Sequence, residues 1–188
     1  MSLGAGAVPT AVARVVSVCA SASHSFSKQV VDAIELAKGL GVAGDAHQGR
    51  FVQHRILQWK NPLAKNLRQV HLMPVELIEE LAPQFDFGPG GLGENVTTRG
   101  LDLCALPRGT RLHLGGSVVV ELAGLRTPCK QIEEFRPGLL QQVLLRGPDG
   151  RRRPRAGVMG VVIAGGRLAA GDAIELELPR VAEPLEMI

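Results

Sequence analysis

Glycine and proline interrupt this chain too often for long helices to form: 23 glycines and 12 prolines are spread through 188 residues. Glycine lets the backbone turn and proline removes a ladder donor, so the segments between them must be short. Several segments are rich in β-branched residues and read as strands. Arg14 to Cys19 carries Val15, Val16 and Val18, and Val118 to Leu125 is the longest such run. Val30 to Leu36, Gln69 to Leu72, Val96 to Thr98, Arg111 to Leu114, Gly157 to Ile163 and Ala173 to Leu178 add further strands, the last two separated by a turn at Gly165-Gly166. Helices are few. Pro74 suits the first position of one, whose Val75, Ile78 and Leu81 share a face and which is expected to end before Pro83. Gln131 to Leu145 reads as two helical pieces broken by Pro137-Gly138. The pattern predicts a mainly β (α+β) fold in one domain over residues 14–178, a β-barrel-like sheet, closed or half-closed, with a few peripheral helices. A loose segment 1–13 precedes it and a C-terminal tail 179–188 follows.

Composition narrows the function classes. Aromatic residues make up 3% of the chain and tyrosine is absent, which argues against stacking platforms for single-stranded nucleic acid. The formal net charge is +3, with four arginines gathered in Arg151-Arg152-Arg153-Pro154-Arg155. That run reads either as a solvated turn or as a rim attracting a phosphorylated ligand. No helix-turn-helix or zinc-finger pattern accompanies it, which argues against nucleic acid as partner. No apolar run is long enough to cross a bilayer and Met1 to Thr10 lacks the cation of a signal peptide, so the expected location is cytoplasmic, with no membrane partner. Cys19, Cys104 and Cys129 are odd in number and far apart, a poor basis for disulfides or structural zinc.

Chemistry-bearing residues gather in three places. In Leu125-Arg126-Thr127-Pro128-Cys129-Lys130-Gln131, cations stand on both sides of Cys129 and favour the thiolate, which attacks electrophiles and binds soft metals. The alternative is a small apolar residue closing a strand. Gly88-Pro89-Gly90-Gly91-Leu92-Gly93 has the G-x-G-x-x-G form. It leads into a strand at Glu94-Asn95 instead of a helix, so it is read as a turn offering backbone N–H groups to an anion and not as a dinucleotide fingerprint. Asp45 and His47 alternate in a loop with both side chains facing one way, either as a carboxylate-oriented proton shuttle or as a plain Asp turn with an exposed histidine. His24, His54, His71 and His113 make no ligand set by spacing. His71 and His113 fall in strand-like runs and read as ordinary barrel residues.

Taken together, Gly41-Val42-Ala43-Gly44-Asp45-Ala46-His47, the run from Gly93 to Asp102, Leu125 to Cys129, Arg155 to Gly160 and Gly171-Asp172 resemble the MOSC domain. That family is named for the C-terminal domain of eukaryotic molybdenum cofactor sulfurase, and the likeness is strongest to its small stand-alone bacterial members, over residues 14–178. The resemblance implies a β-barrel-like fold with Cys129 as the defining cysteine. It implies one of two roles: Cys129 ligates molybdenum of a pterin-bound cofactor in a reductase of N-hydroxylated bases and amines, or it carries a persulfide. Thiolate chemistry suits both. In the first role Cys129 is the metal ligand and Asp45 and His47 deliver protons. Arg126, Lys130 and the Arg151–Arg155 cluster hold the pterin phosphate, while Gly93, Glu94 and Asn95 orient the pterin edge. An external electron donor is then required. In the second role a separate pyridoxal-phosphate-dependent desulfurase donates the sulfur, since the chain has no room for one.

Overall fold

The β-branched runs form strands, except that Val30 to Leu36, expected as one strand, breaks at Asp32 into two that belong to different sheets. The computed structural model describes residues 13–51 and 63–188, and an eight-stranded sheet dominates it. In chain order the strands are β1 (Arg14–Ala20), β2 (Gln29–Val31), β3 (Ala33–Ala37), β4 (Gly41–Val42), β5 (Val70–Pro74) and β6 (Val96–Arg99). Then come β7 (Arg111–Leu114), β8 (Val118–Leu125), β9 (Leu144–Arg146), β10 (Arg152–Pro154), β11 (Val158–Ala164), β12 (Gly166–Ala169) and β13 (Ile174–Glu177). Helices α1 (Val75–Phe85), α2 (Lys130–Phe135) and α3 (Leu139–Val143) are short and peripheral.

The large sheet runs β13-β7-β8-β11-β5-β6-β1-β2, and β3 with β4 and β12 forms a second, three-stranded sheet. Among the described strands only β5 and β6 pair in parallel, because α1 carries the chain back over the sheet between them. The sheet is curled but open, not a closed barrel. Its ends meet at one bridge, Arg14 with Ala173, flanked by Ile174 N donating to Ala13 O at 2.8 Å and Val15 N to Asp172 O at 2.8 Å. Closure stops there because β1 turns both its edges to β6 and β2.

Side chains alternate across β5, so Leu72 enters one apolar cluster and Met73 the other. The first cluster lies between the two sheets, with Val120, Leu122, Val158, Ile34 and Leu168. The second lies under the helices, with Leu77, Leu81, Phe85, Leu92 and Ile132.

Three further local expectations are corrected. Pro74 caps α1 in an extended conformation (φ −71°, ψ 133°) and does not begin it. The helix then runs through Pro83 to Phe85, and burial of the Phe85 ring at its last position favours the continuation. Asp86, at φ 48°, closes it by donating its N–H to Ala82 O at 2.8 Å. Gly166 starts strand β12 where a turn was expected, since β3 offers it a free edge through Leu36.

Candidate functional site around Cys129

Burial along β8 follows strict period-two alternation, with Val118, Val120, Leu122 and Gly124 inside. The next inward position is Arg126. Its guanidinium is therefore forced into the protein, 8% exposed, as the chain leaves the sheet toward Cys129. Arg126 N donates to Gly157 O at 3.0 Å, and one guanidinium nitrogen reaches Leu92 O at a long 3.5 Å. The other terminal nitrogen, Nη1, is buried with no partner. Burial pulls Arg126 down to about 10; the charge of Cys129 opposes this, the Arg68 cation reinforces it, and Glu94 opposes it. Burial also lowers Arg68, again opposed by Cys129. Two desolvated guanidinium groups thus share the electrostatic neighbourhood of one thiol. Cys129 itself is half-buried at the turn into α2, its thiol donating to Gln131 Oε1 at 3.6 Å.

The glycine-rich turn does bring backbone donors to an anion, and the anion is the chain's own. Glu94, 0% exposed, accepts from Gly90 N at 2.5 Å and from Leu92 N at 3.2 Å. Burial raises its carboxyl above the ordinary value, opposed by those N–H groups and by Arg126. Beside it, buried His71 shares Nε2 with Ala156 O at 2.8 Å. Burial and then the Arg126 cation hold His71 well below the usual histidine range, so the ring is neutral.

Asp45 organises the other half of the band. Its Oδ2 accepts from Lys28 Nζ at 2.6 Å, Asn95 Nδ2 at 3.1 Å and Ser21 N at 3.3 Å. Its Oδ1 accepts from His47 N at 3.0 Å and lies 3.3 Å from His47 Nδ1. Burial works against ionisation, but the bonds from His47 and the Lys28 cation outweigh it and hold Asp45 well below the carboxylate range. His47 stays open to solvent on one side, its ring edge-on to His24 with centroids 5.3 Å apart. The two halves meet through Glu94 and His71. Lys28 feels the charge of Glu94, and His71 feels both Arg126 and Lys28.

The structure therefore gathers Cys129, Arg126, Gly93, Glu94, Asn95, Asp45 and His47 into one polar band. Asn95 is occupied within it: its Oδ1 accepts from His71 N at 3.2 Å and its Nδ2 donates to Cys19 O at 3.2 Å as well as to Asp45. Lys130 is not drawn in; its side chain is 86% exposed and pairs with Glu134 along α2. The arginine cluster lies on the β9–β10 hairpin, where Arg151 and Arg153 face Asp149 and Arg155 pairs with Glu80 of α1. His113 pairs with Glu177 at the far edge, and His54 lies outside the described residues. Sequence reasoning passed over Arg68 and Lys28. Neither belongs to a motif, and only the tertiary fold sets them beside Cys129 and Asp45.

The model of the MOSC domain family matches residues 60–175, a stretch that holds the glycine turn, Glu94, Arg68, Arg126 and Cys129. The chain belongs to the MOSC domain family. Among solved structures it is similar to the YuaD protein from Bacillus subtilis, at 24% identity and TM-score 0.71, covering 89% of this chain and 97% of that one. It is also similar to YiiM from Geobacillus stearothermophilus (16% identity, TM-score 0.65, 92% and 79% covered) and to YiiM from Escherichia coli (22%, 0.59, 92% and 73%). At these identities the likeness is one of fold. No curated protein matches the chain. Among the described residues no helix is long and apolar enough to cross a membrane.

The MOSC family is associated with molybdenum cofactor, and the residues fit such a group. Among the described residues no three His, Cys, Asp or Glu side chains gather to hold a bare ion. A metal bound here would have to bring ligands of its own and take only a soft donor from the protein, which Cys129 offers. The partnerless Nη1 of Arg126 supplies the complementary feature, a buried cation with capacity for an anion.

Proposed function

We propose that this protein binds molybdenum cofactor through Cys129 and reduces small N-hydroxylated substrates, with electrons from an external donor. The observation that carries this reading is the buried, unpartnered guanidinium nitrogen of Arg126 in the neighbourhood of the half-exposed Cys129 thiol. Leaving a buried donor unsatisfied costs about 1–3 kcal/mol, more for a charged group. An anion supplied from outside relieves that cost. Arg126 and Arg68 are the groups that would hold the cofactor's phosphate, since guanidinium forks match phosphate oxygens. When bound, the molybdenum centre supplies the electron-pair chemistry of removing oxygen from nitrogen.

The chain's own residues supply the protons. Converting an N-hydroxylated amine to amine and water takes up an electron pair and protons. His47 meets solvent, so it can be recharged, and Asp45 fixes its ring through Nδ1. A donor so placed serves as a general acid. His71, neutral and buried, does not exchange protons with solvent and keeps the wall of the site in place.

Protein made in a cofactor-producing host should contain molybdenum and pterin, and Cys129→Ala should lower molybdenum content at least tenfold while leaving the fold intact. Equal molybdenum in both proteins would sink the ligand assignment. The exposure of Thr127 and Lys130 around a half-exposed thiol also favours a second reading, a sulfur carrier served by a pyridoxal-phosphate-dependent desulfurase. In that case mass spectrometry after incubation with a desulfurase and cysteine finds one added sulfur on Cys129, and metal stays absent.

A further inference from the structure

Strand β8 outlasts its neighbour β7. Their last pair is Glu121 with Arg111. Beyond it Leu122 exchanges bonds with Thr110 O and Gly109 N, both at 2.9 Å, and the neighbouring chain then leaves the edge. The backbone of β8 past this point would be an open sheet edge, with unpaired groups beside the site. Residues 185–188 occupy it. Leu125 N donates to Glu186 O at 2.7 Å, Ile188 N donates to Leu125 O at 3.1 Å, and Leu125 bridges Met187 in parallel. Leu185 is buried in the core cluster, and Arg108 N donates to Glu183 O at 2.8 Å.

Two side-chain observations point the same way. Gly124 is buried inside strand β8, where glycine weakens the strand unless another backbone comes close. A Cβ there would stand 2.7 Å from Glu186 O and 2.7 Å from the Ile188 side chain. Glycine at this position therefore makes room for the tail. On the other side of Arg126, Thr127 Oγ1 donates to Ile188 O at 2.8 Å. The tail thus grips the chain at Leu125 and at Thr127, the two residues that flank the buried arginine.

We propose that residues 185–188 form a strap that positions the Arg126–Cys129 segment and sets how readily the Cys129 thiol is reached. The strap lies beyond the stretch that the family model matches. The proposal rests on the reading of Cys129 as the working group but not on what the thiol binds, because its test needs neither metal nor substrate. The full chain, the Gly124→Ala, Thr127→Val and Thr127→Ser variants are compared by hydrogen exchange and by residue-resolved alkylation of Cys129 with iodoacetamide. Gly124→Ala should speed exchange at 185–188 at least tenfold and change the Cys129 alkylation rate at least threefold, with the β7–β8 ladder still protected. Thr127→Val should move the alkylation rate in the same direction, and Thr127→Ser should match the wild type. A strap that stays protected in Gly124→Ala overturns the proposal, as does a released strap with an unchanged alkylation rate. If Gly124→Ala loses protection throughout, the Thr127 pair decides: Val and Ser variants that alkylate alike overturn it.

Discussion

Asp45 and Glu94 are buried carboxyls in one band, yet their protons respond to acid in opposite senses. Asp45 ionises more readily folded than unfolded, through His47 and Lys28 against the pull of burial. Its contribution to stability is complete above the unfolded value of about 3.9 and is lost as pH falls through the lower folded value. Glu94 is raised by burial, so its contribution declines as pH rises from about 4.3, the unfolded value, toward the folded one. Asp45→Asn should flatten the loss of stability below about pH 4 in a series of denaturant titrations. The same change strands the Lys28 ammonium, and should cost about 3–5 kcal/mol at neutral pH. Glu94→Gln should remove the decline above about pH 4.3 and leave the acid limb unchanged. A Glu94→Gln curve parallel to the wild type throughout would show that burial is not what governs that carboxyl.

At the scale of elements, the glycine turn joins the halves of the site. Gly90 donates to Glu94, and its carbonyl accepts from Lys28 N at 2.9 Å. With φ +82°, and with a Cβ there 2.3 Å from Lys28 O, no other residue fits. Gly90→Ala should destabilise the protein by about 2–4 kcal/mol in urea titration, the mark of strain at a special backbone position. This turn also marks how far the sequence could be read. The runs Arg111–Leu114 and Val118–Leu125 are strands end to end, because polar–apolar alternation in the first and a valine-rich run in the second are local signals. The glycines announced a turn that serves an anion, but not that Glu94 itself is the anion. Cys129, Arg126 and the pair Asp45 with His47 were legible from charge and spacing. Arg68 and Lys28 were not, since their roles come from neighbours distant in the chain. Strand β12 escaped for a similar reason, as its partner edge exists only once β3 is in place.

At the scale of the whole molecule, the two apolar clusters share the strand β5, through Leu72 and Met73, and neither can come apart alone. Unfolding should therefore be one cooperative transition. Circular dichroism and labelling of the fully buried Cys19 should give coincident midpoints in guanidinium, and a labelling curve that runs ahead would mean that the two clusters open separately. The open sheet also bears on how the protein is made. Strand β1, the run Arg14–Ala20, finds its partner β6 only at Val96. At ordinary rates of synthesis that partner follows by roughly 4–16 s. Throughout that interval a valine-rich segment, partnered by the nearby β2 on one edge, stands with its other edge open, the kind of stretch that pairs with copies of itself. The nascent chain should thus be a client for chaperones long before its cysteine site exists.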